Sequence, residues 1–251
     1  MKKTDRLTHI KQEIQKKGRV SVPDLSSALE VTQETIRRDL VELEQDNVLR
    51  RVHGGAVSLR HKTEPSFPER FESQVQEKEY IAQQAIKFIT PGMRLFIDCG
   101  STTLALAGKL PTVDDITIYT NSPLLADIAS ADNPTHKTYI LGGRYMPLQR
   151  ECLGEITIEL ISRTFVDMTI VGVAAIDMKH AFMDTNLEEA EVARAMLKNG
   201  RCRMILSDET KFHHCGAVQI ASFHEIDYLI SSGKKDEQLK TICRQSGTIY
   251  L

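Results

Sequence analysis

The residues best suited to chemistry stand where apolar runs give way to small polar ones. Asp98-Cys99-Gly100-Ser101-Thr102-Thr103 ends one such run and opens a helical pattern. Thr120-Asn121-Ser122, Gly142-Gly143-Arg144, Ala175-Ile176-Asp177 and Asp208-Glu209-Thr210-Lys211 end four more. A Gly-Ser-Thr-Thr segment that opens a helix offers backbone N–H groups, hydroxyls and a positive dipole end, which together suit a phosphate. Asp98, Asn121 and Asp177 could bind sugar hydroxyls, and Lys211 or Arg144 could add positive charge. Each motif alone is weak. The Gly-Ser-Thr-Thr run is neither a Walker loop nor a dinucleotide fingerprint. Asn121-Ser122-Pro123 suits a helix start, Gly142-Gly143 a turn, and Lys211 a solvated loop. Their convergence on strand ends carries the reading, because open α/β sheets hold ligands at the carboxyl ends of their strands.

A second group lies near the start of the chain. Thr32 suits the N-cap of a helix whose inward side is Ile36, Leu40 and Leu43. Arg37 and Arg38 then face outward, with Gln33, Glu34 and Thr35 near the helix start. Recognition helices present such N-terminal side chains to base edges in the major groove. A hairpin around His53-Gly54-Gly55 would add Arg50, Arg51 and His53 as a wing on the DNA backbone or minor groove. The plain alternative is a three-helix bundle with a solvated basic face.

Other chemistry is less supported. His213-His214-Cys215 invites a metal, but no second pair stands at ligand spacing, so no metal is expected. Cys99 beside the polar loop is read as a small core residue rather than a reactive thiolate. Glu188, Glu189 and Glu191 are read as caps of a helix dipole, and no cofactor motif is present. The five cysteines are odd in number and form no CxxC, so no disulfide framework is expected and a reducing cytoplasm is the simplest home. No apolar run approaches the ~18 residues that span a bilayer.

The elements that must position these residues fall into two parts. Residues 1–62 hold 13 Lys+Arg and 9 Asp+Glu, while the remaining residues hold 19 and 25, in a chain of 251 residues with net charge −2. A small basic segment joined to a larger acidic one points to two tasks. Three short helical patterns precede residue 46, with Gly18 ending the first, and the hairpin follows. The expected division is a winged helix-turn-helix over 1–57, a charged Pro-containing linker over 58–75, and an α/β domain over 76–251. In the last part, apolar runs at 94–99, 116–120, 137–141, 168–176, 201–207, 226–231 and 248–251 alternate with helical stretches. The stretches are 78–89, 102–110, 123–130, 155–165 and 187–199, with Gly200 read as the glycine cap of the last. Such alternation predicts a mostly parallel sheet covered on both faces.

At this point the sequence resembles a known family. Arg6…Leu7…Ile10, then VTQETIRRDL over 31–40 and LEQDNVLRRVHGGAV over 43–57, resemble the N-terminal signature of the DeoR family of bacterial sugar-catabolism repressors. The likeness continues through DCGSTT, YTNS, LGGRY, GEITIELISRTFVDMTIVGVAAID and LSDETKF, and so spans nearly the whole chain. It implies a Rossmann-like α/β/α second domain similar to ribose-5-phosphate isomerase. It also implies an effector loop of Asp98, Gly100, Ser101, Thr102 and Thr103, with Asn121, Gly143 and Lys211 nearby. The chain departs from the family at Thr32-Gln33, at Asp46-Asn47, at Thr210, and in MKHAFMDTN, where a glycine is usual soon after Asp177.

Two functions follow as expectations. The first is a cytoplasmic repressor, a homo-oligomer with no cofactor and no membrane association. It would bind double-stranded operator DNA beside a carbohydrate catabolic operon, and a phosphorylated sugar would release it. The second is a sugar-phosphate isomerase or deaminase with an accessory N-terminal domain, using Asp98, Asp177, Asp184, Glu188 and Lys211 as acid-base groups. The basic Arg37-Arg38 helix, which such an enzyme does not need, separates the two.

Overall fold

The protein, described by a computed structural model, is traced over residues 3–46, 48–52, 54–58, 65–131, 133–233 and 236–251. The chain divides into two compact units, residues 1–63 and 64–251.

The first unit begins with α1 (Lys3–Lys17), which Gly18 ends in the left-handed conformation at φ 71. A short β1 (Arg19–Ser21) leads into α2 (Val22–Leu29). The Ser21 hydroxyl accepts the Asp24 N–H at 3.1 Å, Pro23 sits in the first turn, and Glu30 closes the helix at φ 52. Next, α3 (Gln33–Gln45) starts where Thr32 Oγ1 accepts the Thr35 N–H at 3.2 Å. Ile36, Leu40 and Leu43 of α3 are buried against Ile10, Ile14 and Leu25, so the apolar faces read from sequence meet in one core. The hairpin is β2 (Leu49–Val52) and β3 (Gly55–Ser58), with β1 paired antiparallel to β3. Gly55 is required there: a Cβ would lie 2.0 Å from the Val20 carbonyl oxygen. A buried ion pair ties α1 to α3. Arg6 Nε donates to Asp39 Oδ2 at 2.5 Å and Nη2 to Oδ1 at 3.0 Å, with the two residues 9% and 2% exposed.

The second unit opens with α4 (Phe67–Glu72) and α5 (Val75–Ala85). Thus part of the stretch read as linker is helical, and Phe67 is buried in this unit's core. Residues 59–64 of that stretch lie outside the described residues. Then come β4 (Arg94–Ile97), α6 (Ser101–Ala107), β5 (Thr117–Thr120), α7 (Pro123–Ser130) and β6 (Lys137–Ile140). A hairpin of β7 (Arg144–Met146) and β8 (Glu151–Leu153) precedes α8 (Glu155–Ser162), β9 (Val166–Gly172), β10 (Ala175–Asp177) and β11 (Ala181–Asp184). The chain ends with α9 (Leu187–Asn199), β12 (Gly200–Ser207), β13 (Val218–Ala221), β14 (Tyr228–Ser231), α10 (Glu237–Ser246) and β15 (Ile249–Tyr250).

Seven strands form one parallel sheet in the order β15-β14-β12-β9-β4-β5-β6. Its strands are apolar on both sides. Leu95, Ile97, Met168, Ile170, Met204 and Leu206 pack on the face covered by α5, α6 and α7. Phe96, Val171 and Ile205 pack on the opposite face with α8, α9 and α10. The result is the three-layer α/β/α architecture expected from the alternation of strands and helices.

Three local readings change. The apolar run over 168–176 is two strands, β9 of the main sheet and β10 of a small antiparallel sheet ordered β10-β11-β13. Gly200 is not a left-handed cap, since its φ is −96; it is needed because a Cβ would lie 2.2 Å from Thr169 Oγ1. The stretch lacking the family's glycine still turns left-handed, at Ala181 with φ 59.

Candidate functional site

On the first unit, α3 and the hairpin form the exposed basic surface. Thr32, Gln33, Glu34, Arg37 and Arg38 are exposed and Thr35 is half-buried. Arg37 Nη2 donates to Gln33 Oε1 at 3.4 Å, and Arg38 Nε to Glu34 Oε1 at 3.4 Å. These are long contacts between exposed side chains, worth little in water, so both arginines are available to a phosphate or base edge at small cost. Gln33, Arg37 and Arg51 line one groove with Val22, Pro23 and Gly54. Arg51 is also held by Glu44, through its backbone N–H at 2.8 Å and its Nε at 2.6 Å. Arg50 is exposed on β2, and His53 lies outside the described residues. Asp39, which the sequence reading passed over, faces inward between Arg38 and Leu40 and fixes the rotation of α3 through Arg6.

The second unit holds a cleft at the carboxyl ends of β4, β9 and β12. In the sheet, the chain runs outward one way through β4, β5 and β6 and the other way through β9, β12, β14 and β15. The switch point therefore lies between β4 and β9, where open α/β sheets leave a crevice. Asp98, Gly100, Ser101, Thr102 and Lys211 line it. Thr103 does not. Its hydroxyl is buried and donates within the loop, to the Asp98 and Gly100 carbonyls at 2.8 and 2.9 Å. Asn121 is fully buried behind the loop, where Oδ1 accepts the Cys99 N–H at 3.1 Å and Nδ2 donates to the Cys152 carbonyl at 3.3 Å. It shapes the cleft without lining it.

Three other expected residues lie elsewhere. Gly143 packs against α8: a Cβ would lie 2.1 Å from Thr157 Oγ1 and 2.6 Å from the Leu153 carbonyl oxygen. Arg144 pairs with Glu188 on an exposed surface. Asp177 shapes the β10–β11 turn by accepting the Lys179 and His180 N–H groups at 2.9 and 2.8 Å.

The cleft also contains residues that sequence spacing did not single out. Lys78 of α5 is 4% exposed and lines it together with Arg70 and Ser73. Its ammonium donates to the Arg70 carbonyl and, at 2.6 Å, to the Ser73 carbonyl. Among the described residues it has no ion pair; both partners are neutral oxygens. Burial pushes the Lys78 pKa down, Asp208 works against that shift, and Lys211 and Arg70 add to it. A buried cation in that state gains from an incoming anion. Lys78 sits at the start of a helical pattern, where sequence reads it as a solvated helix residue; only the fold turns it inward.

The cleft also holds carboxylates. Glu151, Asp184, Glu189 and Asp208 line the cleft with Asp98. Burial, with Glu151 and Asp184 next, holds the Asp98 carboxyl well above the usual carboxylate range. The Cys99 thiol donates to Glu151 Oε2 at 2.6 Å, and burial with the Asp98 charge raises its pKa well above the ordinary value. Cys99 is thus a poor nucleophile here. Asp208 is anchored by the Thr210 N–H at 2.9 Å, and Asp184 by the Thr185 and Asn186 N–H groups at 2.6 and 3.0 Å. The cleft therefore offers cations and hydroxyls suited to phosphate together with acceptors suited to sugar hydroxyls. Since α6 has only seven residues, its dipole adds less than the sequence reading assumed. Among the described residues, no group of His, Cys, Asp and Glu is arranged to hold a metal. Among them, too, no helix is long and apolar enough to cross a membrane.

Comparison with known proteins returns two family models. The DeoR C terminal sensor domain matches residues 73–233, and the DeoR-like helix-turn-helix domain matches residues 6–62. The glycerol-3-phosphate regulon repressor of Haemophilus influenzae is 31% identical over 92% of this chain and 90% of that protein. The HTH-type transcriptional repressor GlcR of Bacillus subtilis is 32% identical over 100% of this chain and 96% of that protein. A solved ribose-5-phosphate isomerase in complex with phospho-erythronic acid is 17% identical, covering 54% of this chain and 52% of that one, with a TM-score of 0.40.

Proposed function

The chain belongs to the DeoR family of transcriptional regulators, and from that membership we propose that it is a cytoplasmic repressor which a phosphorylated sugar releases from its operator. It is a DNA-binding regulator and not an enzyme; relatives that span nearly all of it are transcriptional repressors. In this reading α3 enters the major groove, with Gln33, Arg37 and Arg38 at base edges or phosphates and Arg50 and Arg51 on the flanking backbone. Two copies bind two half-sites, so the protein works as a homo-oligomer. The effector's phosphate lies against Lys78, Lys211, Ser101 and Thr102, and its hydroxyls face Asp98 and Asp184. The observation that carries this reading is the buried Lys78 ammonium, without an ion pair among the described residues, in the same cleft as the hydroxyl-bearing loop and five carboxylates.

Effector binding releases DNA only in so far as the ligand favours the state that fits the operator poorly. The test joins two measurements on the full-length chain. A thermal-shift screen of sugar phosphates and their dephosphorylated sugars identifies the ligand, because only a binder of the native state raises the melting temperature. Gel shifts on the promoter of the adjacent operon then follow release. Stabilisation by the phosphorylated form alone, together with release at the same concentrations, is the expected result. Stabilisation by the free sugar to the same degree removes the phosphate from the reading.

A further inference from the structure

The helix α4 is the first element of the second unit, and at its far end the Ser73 hydroxyl, which donates to the Arg70 carbonyl at 3.1 Å, is joined by the buried Lys78 side chain. Carbonyls in the last turn of a helix have no partner within it and must find one outside. The Arg70 carbonyl belongs to that last turn and the Ser73 carbonyl lies just beyond it; Lys78 Nζ donates a hydrogen bond to each. The near end of α4 is closed separately. Ser66 and Glu69 form a capping box, with the Ser66 N–H and hydroxyl both donating to Glu69 Oε2 at 2.8 Å. Between α4 and α5 the chain turns through Gln74 in the left-handed conformation, φ 51, which costs energy for a residue with a Cβ. The corner is therefore strained, and the Lys78 ammonium spans it.

An ammonium has three protons. Two serve α4, and the group as a whole borders the cleft. Pro65, Arg70 and Ser73 border the same cleft, so α4 and its flanks form one wall of it. The geometry points to Lys78 as a positioning residue whose single ammonium serves both the cleft's phosphate and the carbonyls of α4, so that filling the cleft orders the first helix after the tether to the DNA-binding unit. This inference rests on the anion-binding reading given above and adds how occupancy leaves the cleft. Without a ligand the ammonium already holds both carbonyls, but neither of these partners carries a charge to offset its own. An anion on the third proton stabilises the ammonium in its place between the cleft and the α4 carbonyls, which disfavours the openings in which α4 comes away. Of the other residues named for the phosphate, Ser101 and Thr102 belong to α6, and Lys211 to a short 3-10 turn after β12.

Amide hydrogen exchange on the full-length chain tests this, with inorganic phosphate, glucose 6-phosphate and sn-glycerol 3-phosphate as the probes. In the wild type, a probe that protects amides 99–104 should also slow exchange over 67–76 by about tenfold. In Lys78→Met, amides 67–76 should exchange faster without a probe. The probe-dependent slowing there should vanish, while a higher probe concentration still protects 99–104. Protection of 99–104 in the wild type with no change over 67–76 overturns the inference and leaves the anion-binding reading standing. The same slowing over 67–76 in Lys78→Met as in the wild type also overturns it, since a merely structural cap would behave in that way. Failure of all three probes to protect 99–104 sinks the anion-binding reading and the inference with it. The wild-type arm decides even if Lys78→Met does not fold.

Discussion

Replacing Asp39 with Ala leaves the Arg6 guanidinium buried without its carboxylate, and the cost can be placed within limits. The pair is bidentate, at 2.5 and 3.0 Å, with Asp39 2% and Arg6 9% exposed. Removing one partner of a buried pair costs ~3–5 kcal/mol, because the remaining charge keeps its desolvation penalty. Arg6 lies nearer the surface than Asp39 and can reach water by a small movement, which favours the lower end, about 3 kcal/mol. At ~0.05–0.15 kcal/mol per residue, a unit of this size has only about 3–9 kcal/mol in total. The substitution therefore removes a third or more of the stability of the DNA-binding unit. Urea denaturation can read the two units separately. All six tyrosines lie between 80 and 250, so tyrosine fluorescence reports the second unit alone, whereas helical circular dichroism reports both. For Asp39→Ala the dichroism should gain an early transition while the tyrosine transition stays in place. Arg6→Met combined with Asp39→Leu should recover most of the loss, since an apolar pair of similar volume replaces the ions at little cost. A loss below about 1 kcal/mol in Asp39→Ala, the range of an exposed pair, would refute the buried-pair reasoning.

Four further outcomes are expected. Arg37→Ala with Arg38→Ala should weaken operator binding by roughly 1–3 kcal/mol per lost contact and flatten its salt dependence, read by gel shifts at two salt concentrations. Ser101→Glu puts a carboxylate on the hydroxyl side of the cleft; two like charges about 4 Å apart repel by ~1 kcal/mol in water and more where water is excluded. Effector affinity by calorimetry should fall at least about tenfold while operator binding is kept, giving a repressor that no longer responds. Asp98 is held above its ordinary 3.8, so its contribution to stability is full below that value and is lost as pH rises through the raised one. Asp98→Asn should thus raise the melting temperature of the ligand-free chain at neutral pH, with the gain shrinking towards acid, and should weaken effector binding. A fragment of residues 65–251 should fold and bind the effector without binding DNA, whereas one starting at residue 74 loses Pro65, Arg70 and Ser73 from the cleft wall and should bind weakly.

The sequence was most readable where local pattern and tertiary role coincide. Ile36, Leu40 and Leu43 declared the inner face of α3, and Thr32 its start, because spacing and cap chemistry are local properties. The loop at 98–102 was readable because a parallel strand must end in something, and here it ends in Asp, Gly, Ser and Thr. Strand order was not readable. Which strand ends converge depends on β4 and β9 being neighbours, so Lys211 lies in the cleft while Gly143, Arg144 and the buried Asp177 lie outside it. Lys78 was hidden for a different reason. A lysine at the start of a helical pattern is ordinarily solvated, and only the fold, which brings the Arg70 and Ser73 carbonyls onto its ammonium, encloses it. The hairpin of β7 and β8 was missed because three-residue strands are too short to show a period.

The sheet order has a consequence for how the protein is made. The core of the first unit draws only on residues up to Ala56, so that unit can close as soon as the hairpin has left the ribosome. β4 cannot take its central place until β9 arrives, because Leu95 pairs with Met168 and Ile97 with Ile170. At ~5–20 residues per second, on the order of ten seconds of synthesis separate the two events. During that interval a nascent chain carries a finished DNA-binding unit and an unfinished sensor, in which Ile97 and Phe96 still lack the strand that will cover them. A chain released early by a premature stop keeps the first ability and never acquires the second. Such a product would carry the operator-reading surface without the part that answers to the sugar.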